Sequence, residues 1–304
     1  MNGYKDGLHD DFEEITIPVP WGHISGKWWG SKDVQPIIAI HGWQDNAGTF
    51  DKLAPKLKDS GFSVFCIDLP GHGLSSHLPP GHCYYLFWDG LHIVRRIVKH
   101  FKWTKVTLMG HSLGGAISFL YAGTFPKEVE KYICIDIASP SVRNMSKLVE
   151  QAGDALDKFL KYETLTKNQH PCYEYEDMIS IVQEAYKDNL DREGCEIMMR
   201  RGMKKAKDRK GYYFSRDVRL KASAMGFMSL DQILEFASKT ICEVLNIRGH
   251  PGHKFDHPEH YDIVLEKLSK TAKKVERHII PGTHHLHLND ADTVAPIIIK
   301  FLKS

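Results

Sequence analysis

The sequence of 304 residues predicts an α/β protein with a mostly parallel eight-stranded sheet, helices on both faces and a helical insertion. Three observations carry this prediction. Short apolar runs alternate with helix-forming stretches, which is typical of parallel sheets. The alternation stops over residues 139–239, which are rich in charge and helix formers. It then resumes with two more strand patterns.

The first part of the chain supplies six predicted strands. Residues 12–18 and 23–29 alternate apolar and polar side chains and indicate an antiparallel hairpin. Apolar runs typical of buried parallel strands follow at 36–40, 62–68, 105–110 and 131–138. Helical spacing or composition predicts helices near 50–61, 90–101 and 113–125.

The last part of the chain completes the sheet with strands at 242–249 and 273–282 and helices at 259–270 and 291–302. We therefore divide the chain into a core (1–138), a helical cap insertion without strands (139–239) and the rest of the core (240–304).

Composition excludes several function classes. The chain is 42% hydrophobic and 26% charged, with a formal net charge of +2, so we expect a globular protein that binds no nucleic acid. No apolar run is long enough to span a bilayer, and we interpret the basic residues 200–210 as the solvated face of a helix. Six cysteines without a C-x-x-C pair predict reduced thiols.

The ends of the chain bear on its location. The polar N-terminus argues against a secretory signal, and the C-terminal IIKFLKS differs from the peroxisomal S-K-L address. We expect a cytoplasmic protein. A peroxisomal association and the oligomeric state stay open.

Ser112 lies in GHSLGG, between a predicted strand and a predicted helix. A nucleophile elbow requires this setting, with small residues around a sharply turned serine. The turn raises the hydroxyl above the carboxyl ends of the strands, where open α/β sheets bind ligands. The alternative is an N-capping serine in a glycine-rich connection. The strand and helix on either side favour the nucleophile.

The stretch HGW, directly after the first parallel strand, predicts half of an oxyanion hole. The amides of Trp43 and of Leu113, which follows Ser112, would supply its two N–H groups. Gly42 would allow the backbone to approach a substrate closely. We assign Gly42, His41 and His111 to the substrate site.

The stretch GTHHLHL follows the last predicted strand and offers a general base for Ser112. A neutral imidazole can accept the serine proton and return it to the leaving group. His284 comes first after the turn and is our choice, with His285 as its nearest rival and His287 as a third candidate.

Two aspartates are candidates for the carboxylate that orients the histidine. Asp136 ends the fourth parallel strand, and Asp256 lies in the loop after the next strand. The alternative role for either is a turn or capping carboxylate. The same loop clusters four histidines around Asp256, but it contains Pro and Gly and lacks an H-E-x-x-H motif. We expect no metal and no cofactor.

Together, HGW, GHGLSS, GHSLGG and GTHHLHL resemble the α/β-hydrolase fold family in their order along nearly the whole chain. The N-terminal stretches are similar to the serine hydrolase-like (kraken-like) group. The resemblance implies a cap over residues 139–239, Ser112 as nucleophile and a histidine from GTHHLHL. It also favours Asp136, because the usual G-x-x-D turn after the later strand is replaced by GHPG, residues 249–252.

We therefore expect a serine hydrolase that cleaves a carboxylic ester through an acyl-enzyme. Apolar residues at 212–214 and 224–228 favour a small, apolar substrate. A thioesterase or C–C hydrolase would use the same triad. The contrasting alternative is a binding protein that keeps the fold without activity.

Overall fold

Short runs of β-branched and other apolar residues form the strands of one eight-stranded sheet. The computed structural model describes residues 11–84, 86–165, 169–222 and 227–304. In chain order the strands of this sheet are β1 Phe12–Val19, β2 Gly22–Trp29, β3 Ile37–Ile40, β4 Val64–Ile67, β5 Val106–His111, β6 Val129–Ile135, β9 Glu243–Pro251 and β10 Lys274–Gly282.

The order of strands across the sheet is β1-β2-β4-β3-β5-β6-β9-β10. The pairs β1–β2 and β2–β4 are antiparallel, and every other neighbouring pair is parallel. The predicted α/β class and the mostly parallel eight-stranded sheet are therefore confirmed.

Helices connect the strands. They are α1 Leu53–Asp59, α2 Phe87–His100, α3 Leu113–Thr124, α4 Met145–Glu163, α5 Tyr175–Ala185, α6 Arg192–Gly202, α7 Leu230–Lys239, α8 Glu259–Ser269, α9 Leu286–Asn289 and α10 Ala291–Lys303. Short 3₁₀ helices cover Ala47–Phe50 and Val218–Ala222. Across the described ranges, none of the helices has both the length and the apolar character needed to cross a membrane.

The core forms two apolar layers, one on each face of the sheet. Val94 of α2, Ile117 of α3 and Val264 of α8 belong to one layer. Leu53 of α1 and Phe301 of α10 belong to the other. Each such side chain contributes about 1.5–3 kcal/mol when fully buried. All six cysteines are free thiols, as the sequence predicts.

The segment between β6 and β9 has a small apolar core of its own. Met178 and Val182 of α5 pack with Met198 of α6, and this cluster closes on Leu288 of α9. Helix α7 instead packs against α3 and α8, within the helix layer of the sheet. The domain boundaries at 139 and 239 stay a prediction.

The expectation of a segment without strands was wrong. A two-stranded antiparallel ribbon joins β7 Met203–Lys205 to β8 Tyr212–Phe214. Each strand has only three residues, and charged residues separate them. Such short strands leave no alternating pattern for a sequence argument to detect.

The basic run 200–210 is not uniformly solvated, which corrects its interpretation as an exposed helix face. Arg201, at the end of α6, is 5% exposed. Its Nε donates to Asp68 Oδ2 at 2.6 Å, and its two terminal nitrogens bind the Glu14 carboxylate at 2.7 and 2.6 Å. Asp68 is fully buried. This ion-pair network fastens α6 to the loop after β4 and to strand β1.

Candidate active site

The candidate residues gather at one edge of the sheet. Strands β3, β5, β6, β9 and β10 are parallel, so their carboxyl ends meet there. Trp43 follows β3, Ser112 follows β5, Asp136 follows β6 and His284 follows β10. This is the edge where open α/β sheets bind ligands.

Ser112 occupies a sharp strand-to-helix turn. Its φ of 51° lies in the left-handed region that a serine rarely adopts. Strain of this kind persists where the surrounding structure fixes it, and it is common at active sites. Gly114 makes the turn feasible, because a Cβ there would collide with the backbone of Ile40. Ser112 is half-buried, so its hydroxyl remains accessible at the start of α3.

Asp136 and His284 form a hydrogen-bonded pair. The distance from His284 Nδ1 to Asp136 Oδ2 is 2.7 Å, and the aspartate is fully buried. A carboxylate oxygen accepts, so Nδ1 carries the proton. Nε2 is then the unprotonated nitrogen of a neutral His284, which is the form that a general base requires.

Both oxygens of the Asp136 carboxylate accept two hydrogen bonds each. Oδ1 accepts from Arg248 Nη1 at 2.6 Å and from the Gly249 amide at 2.8 Å, while Oδ2 also accepts from the His253 amide at 2.6 Å. With His284, four donors match the acceptor sites of an ionised carboxylate. Sequence reasoning missed Arg248 and His253. The one available indication was an arginine that ends the apolar run of β9.

Asp256, the alternative acid, lies elsewhere. Its Oδ2 accepts from Arg143 Nε at 3.3 Å and from the Asn144 amide at 3.1 Å. The Asn144 hydrogen bond and the charge of Arg143 lower the pKa of Asp256. The structure therefore brings Asp136 to His284 and gives Asp256 a role at the start of α4.

Ser112 and His284 lie on adjacent loops. His111, the residue before Ser112, donates from Nε2 to the backbone oxygen of His284 at 2.8 Å. Among the described residues, no hydrogen bond joins Ser112 Oγ to His284 Nε2. Contacts of this kind are often long in an empty site and shorten when substrate binds.

The other predicted histidines point into the protein. His285 is 3% exposed and its Nε2 lies 3.2 Å from Asp45 Oδ2. His287 is fully buried, with Nε2 2.8 Å from Thr49 Oγ1. His41 is also fully buried, and both its ring nitrogens bind backbone groups, so neither is free for a substrate.

Burial and neighbouring charge set the electrostatics of His284. Burial lowers the pKa of its imidazole, as does His111, whereas the hydrogen bond to Asp136 raises it. The net pKa lies below the ordinary value of 6.5. The ring of His253 lies beside that of His284, with centroids 4.6 Å apart. Burial lowers the pKa of His253 to about 4. Both imidazoles are therefore neutral near pH 7.

The amides of Trp43 and Leu113 remain the candidates for an oxyanion hole. Neither N–H donates to another group in the described part of the chain. The two residues border a cavity of about 10 Å³, lined mostly by apolar groups that include Leu69, Leu86 and Leu220. A cavity of this size has room for about one water molecule.

Gly42 approaches the protein interior closely. A Cβ on this residue would lie 2.7 Å from Asp45 Oδ2 and 2.9 Å from His111 Nδ1. The absence of a side chain therefore makes room for these two buried groups, which the sequence argument did not anticipate.

Among the residues that the structure describes, two groups of side chains have donor atoms close enough for a metal ion. One is buried and consists of Asp45, His111 and His285. The other is at the surface and consists of His257, Glu259 and His260. The four histidines that lie near Asp256 in the sequence do not form one group with it. Two of them, His257 and His260, belong to the surface group.

A larger cavity, of about 630 Å³, opens between the loop after β4 and the inserted segment. Ser112, Asp136 and His284 do not line it, whereas Phe214 of the apolar stretch 212–214 does. Residues 224–226 of the second apolar stretch lie outside the described residues. Ser112, Asp136 and His284 do not line the small cavity beside Trp43 either, and the apolar substrate stays a prediction.

Comparison with known proteins agrees with this fold. Residues 35–290 match the family described as the alpha/beta hydrolase fold. A "Probable serine hydrolase" of Drosophila melanogaster is 53% identical over 294 residues, covering 97% of this chain and 88% of that protein. The human "Serine hydrolase-like protein 2" is 32% identical over 303 residues, covering 95% of this chain and 94% of that protein.

A solved structure is similar over almost the full length. A hypothetical protein from Pseudomonas aeruginosa PAO1 superposes with a TM-score of 0.82 and 31% identity, covering 96% of this chain and 100% of that chain. The family match extends over most of the sequence, and the relatives align nearly from end to end. The chain belongs to the α/β-hydrolase fold family, in its group of serine hydrolase-like proteins.

Proposed function

We propose that this serine hydrolase cleaves carboxylic esters with small, largely apolar acyl groups, using Ser112, His284 and Asp136. The observation that carries the proposal is the 2.7 Å hydrogen bond between His284 Nδ1 and Asp136 Oδ2. It leaves Nε2 unprotonated on the loop next to the strained turn at Ser112.

The first half of the reaction forms the acyl-enzyme. His284 Nε2 accepts the proton of Ser112 Oγ while Oγ attacks the carbonyl carbon. The Trp43 and Leu113 amides stabilise the oxyanion that develops on the carbonyl oxygen. The imidazolium then gives its proton to the departing alkoxide, and an alcohol leaves.

The second half releases the acid. A water molecule loses a proton to His284 Nε2 and attacks the acyl carbon. The imidazolium returns that proton to Ser112 Oγ as the acyl bond breaks. Asp136 keeps its negative charge throughout, orients the ring and stabilises the imidazolium. Arg248 and the amides of Gly249 and His253 hold this carboxylate in place.

The acyl preference follows from the cavity beside the oxyanion amides. Its volume of about 10 Å³ accepts an acetyl methyl group more readily than a long chain. Leu86 and Leu220 contribute to its walls, so an apolar group would contact apolar side chains.

Labelling with a fluorophosphonate probe tests the nucleophile. We expect the intact protein to be labelled and the Ser112→Ala variant to be unlabelled. A series of p-nitrophenyl esters should give the highest kcat/KM at the acetyl end. If the folded protein is not labelled while a control esterase is, the proposal is wrong.

A further inference from the structure

A second buried carboxylate lies behind the proposed triad. Asp45 follows strand β3 and is 2% exposed. Its Oδ2 lies 3.2 Å from His285 Nε2 and 3.4 Å from His111 Nδ1. These two histidines directly adjoin His284 and Ser112 in sequence. An isolated carboxylate at this depth would be strongly unfavourable, so its surroundings must stabilise its charge.

His111 connects Asp45 to the histidine of the triad. A carbonyl oxygen only accepts, so Nε2–H of His111 must be the donor to the His284 oxygen at 2.8 Å. Its other nitrogen, Nδ1, is buried 3.4 Å from Asp45 Oδ2 and has no hydrogen-bond partner in the described part of the chain. The imidazole therefore spans the gap between this carboxylate and the backbone of His284.

Tyr186 connects Asp45 to the inserted segment. The tyrosine ends helix α5, and its hydroxyl donates to Asp45 Oδ1 at 2.7 Å. Its ring also lies edge-on against His285, with centroids 5.2 Å apart. Asp45 therefore links helix α5 to the two loops that carry Ser112 and His284.

We propose that Asp45 is a positioning residue for hydrolysis, which holds His285 by a hydrogen bond and packs against His111 so that the backbone of His284 is fixed, and that Tyr186 links this arrangement to helix α5. The inference rests on the proposed ester hydrolysis. It assigns Asp45 no contact with substrate. Asp45 affects the reaction by keeping His284 in position.

The negative charge of Asp45 gives the proposal a specific readout. Within the described residues, the charged and titratable groups that face the His284 ring are His111, Asp136, His253, His285 and Asp45, with Arg248 behind Asp136. Asp45 favours the protonated form of His284, so its removal lowers the pKa of that imidazole. The acidic limb of kcat/KM should then move to lower pH.

The test uses the full-length chain and two variants. In Asp45→Asn we expect kcat to fall by about tenfold or more, since a small misplacement of a catalytic group can cost up to ~10²-fold. We also expect its acidic limb to shift to lower pH. In Tyr186→Phe only a hydroxyl is lost, and kcat should fall by about threefold with little change in KM.

Matched controls separate positioning from general destabilisation. Asp51→Asn breaks a different buried pair, with Lys27, so it should lower stability without moving the acidic limb. Tyr121→Phe removes a buried hydroxyl that contacts Arg95 and Glu128, and it should leave kcat unchanged.

The outcomes are distinguishable. Wild-type kcat and an unmoved acidic limb in both test variants would overturn the role of Asp45 while the ester proposal stands. If Asp45→Asn does not fold, an unchanged kcat in Tyr186→Phe is sufficient by itself to overturn the role of Asp45. A wild-type chain that neither reacts with the probe nor hydrolyses esters overturns both proposals. A dependence of kcat on a bound metal, detected with EDTA, would replace the positioning role with a metal site at Asp45, His111 and His285.

Discussion

At the scale of single residues, the site depends on how one carboxylate is held. Asp136 has a φ of 57°, a conformation that aspartate tolerates better than most residues. This turn at the end of β6 aims its two oxygens at the loops after β9 and β10. The carboxylate can then meet His284 from one side and Arg248 from the other.

Two aspartate variants test which carboxylate orients the histidine. We expect Asp136→Asn to reduce kcat by about 10⁴-fold, because an amide no longer favours the Nδ1–H tautomer of His284. Asp256→Asn should change kcat by less than about twofold, since within the described ranges its carboxylate forms hydrogen bonds only with Arg143 and Asn144. Steady-state kinetics with p-nitrophenyl acetate measures both. A large loss in Asp256→Asn alone would contradict the assignment.

The pH dependence of kcat/KM reports on His284 itself. Protonated His284 cannot accept the Ser112 proton, so activity falls as the pH drops through its pKa. Burial and His111 lower that pKa from 6.5, and the acidic limb should therefore lie below pH 6.5. A limb above this value, measured in buffers of constant ionic strength, would be inconsistent with the environment described for His284.

At the scale of elements, a buried ion pair fastens the inserted segment to the sheet. Arg201 of α6 reaches Asp68 after β4 and Glu14 of β1. Asn46, which begins the 3₁₀ helix after β3, adds a hydrogen bond from Nδ2 to the Met198 oxygen at 2.9 Å. Helix α6 is therefore fixed to the loop that leads into the candidate oxyanion hole.

Replacing Arg201 tests this attachment. In Arg201→Met, the buried Asp68 loses its ion-pair partner, which should lower the free energy of unfolding by about 3–5 kcal/mol. The neighbouring Arg200 is exposed, so Arg200→Met should change it by less than about 0.5 kcal/mol. Urea titrations of the two variants provide the comparison, and equal stabilities would show that the ion pair contributes little.

Periodicity predicted the sheet well because its strands are long or wholly apolar. It failed for β7 and β8, whose three-residue strands carry no repeating pattern. The charge pattern of residues 200–210 wrongly predicted an exposed Arg201, because only the folded chain brings Asp68 and Glu14 to it. The motif order pointed to Ser112 and the GTHHLHL loop, and the family resemblance favoured Asp136 with Asp256 as the alternative. That choice depends on contacts across more than 100 residues of chain.

At the scale of the whole molecule, many imidazoles are buried in neutral form. Burial lowers the pKa of His41 to about 4 and that of His72 to about 3, from an ordinary value of 6.5. His287 is shifted in the same direction. In the unfolded chain these residues bind protons at higher pH than in the folded chain. The folded state is therefore stabilised by high pH and weakened by low pH.

Stability should fall as the pH decreases from 6.5 towards 4. In this window the unfolded chain takes up protons that the folded chain excludes, and each such imidazole contributes up to ~1.4 kcal/mol per pH unit. Urea unfolding at pH 7.5, 6 and 5 measures the slope. His72→Gln should reduce it, whereas His92→Gln, at an exposed position, should not. A stability independent of pH over this range would refute the prediction.

The partners of Asp136 also set an order of assembly. Arg248, Gly249, His253 and His284 all follow it in the chain, at separations of 112 to 148 residues. During synthesis, the serine turn and the aspartate emerge from the ribosome before any group that can neutralise that carboxylate. Asp68 likewise emerges before Arg201, its ion-pair partner. The proposed catalytic edge is thus completed only when the last strand docks, so an unfinished chain contains the proposed nucleophile without its proposed base.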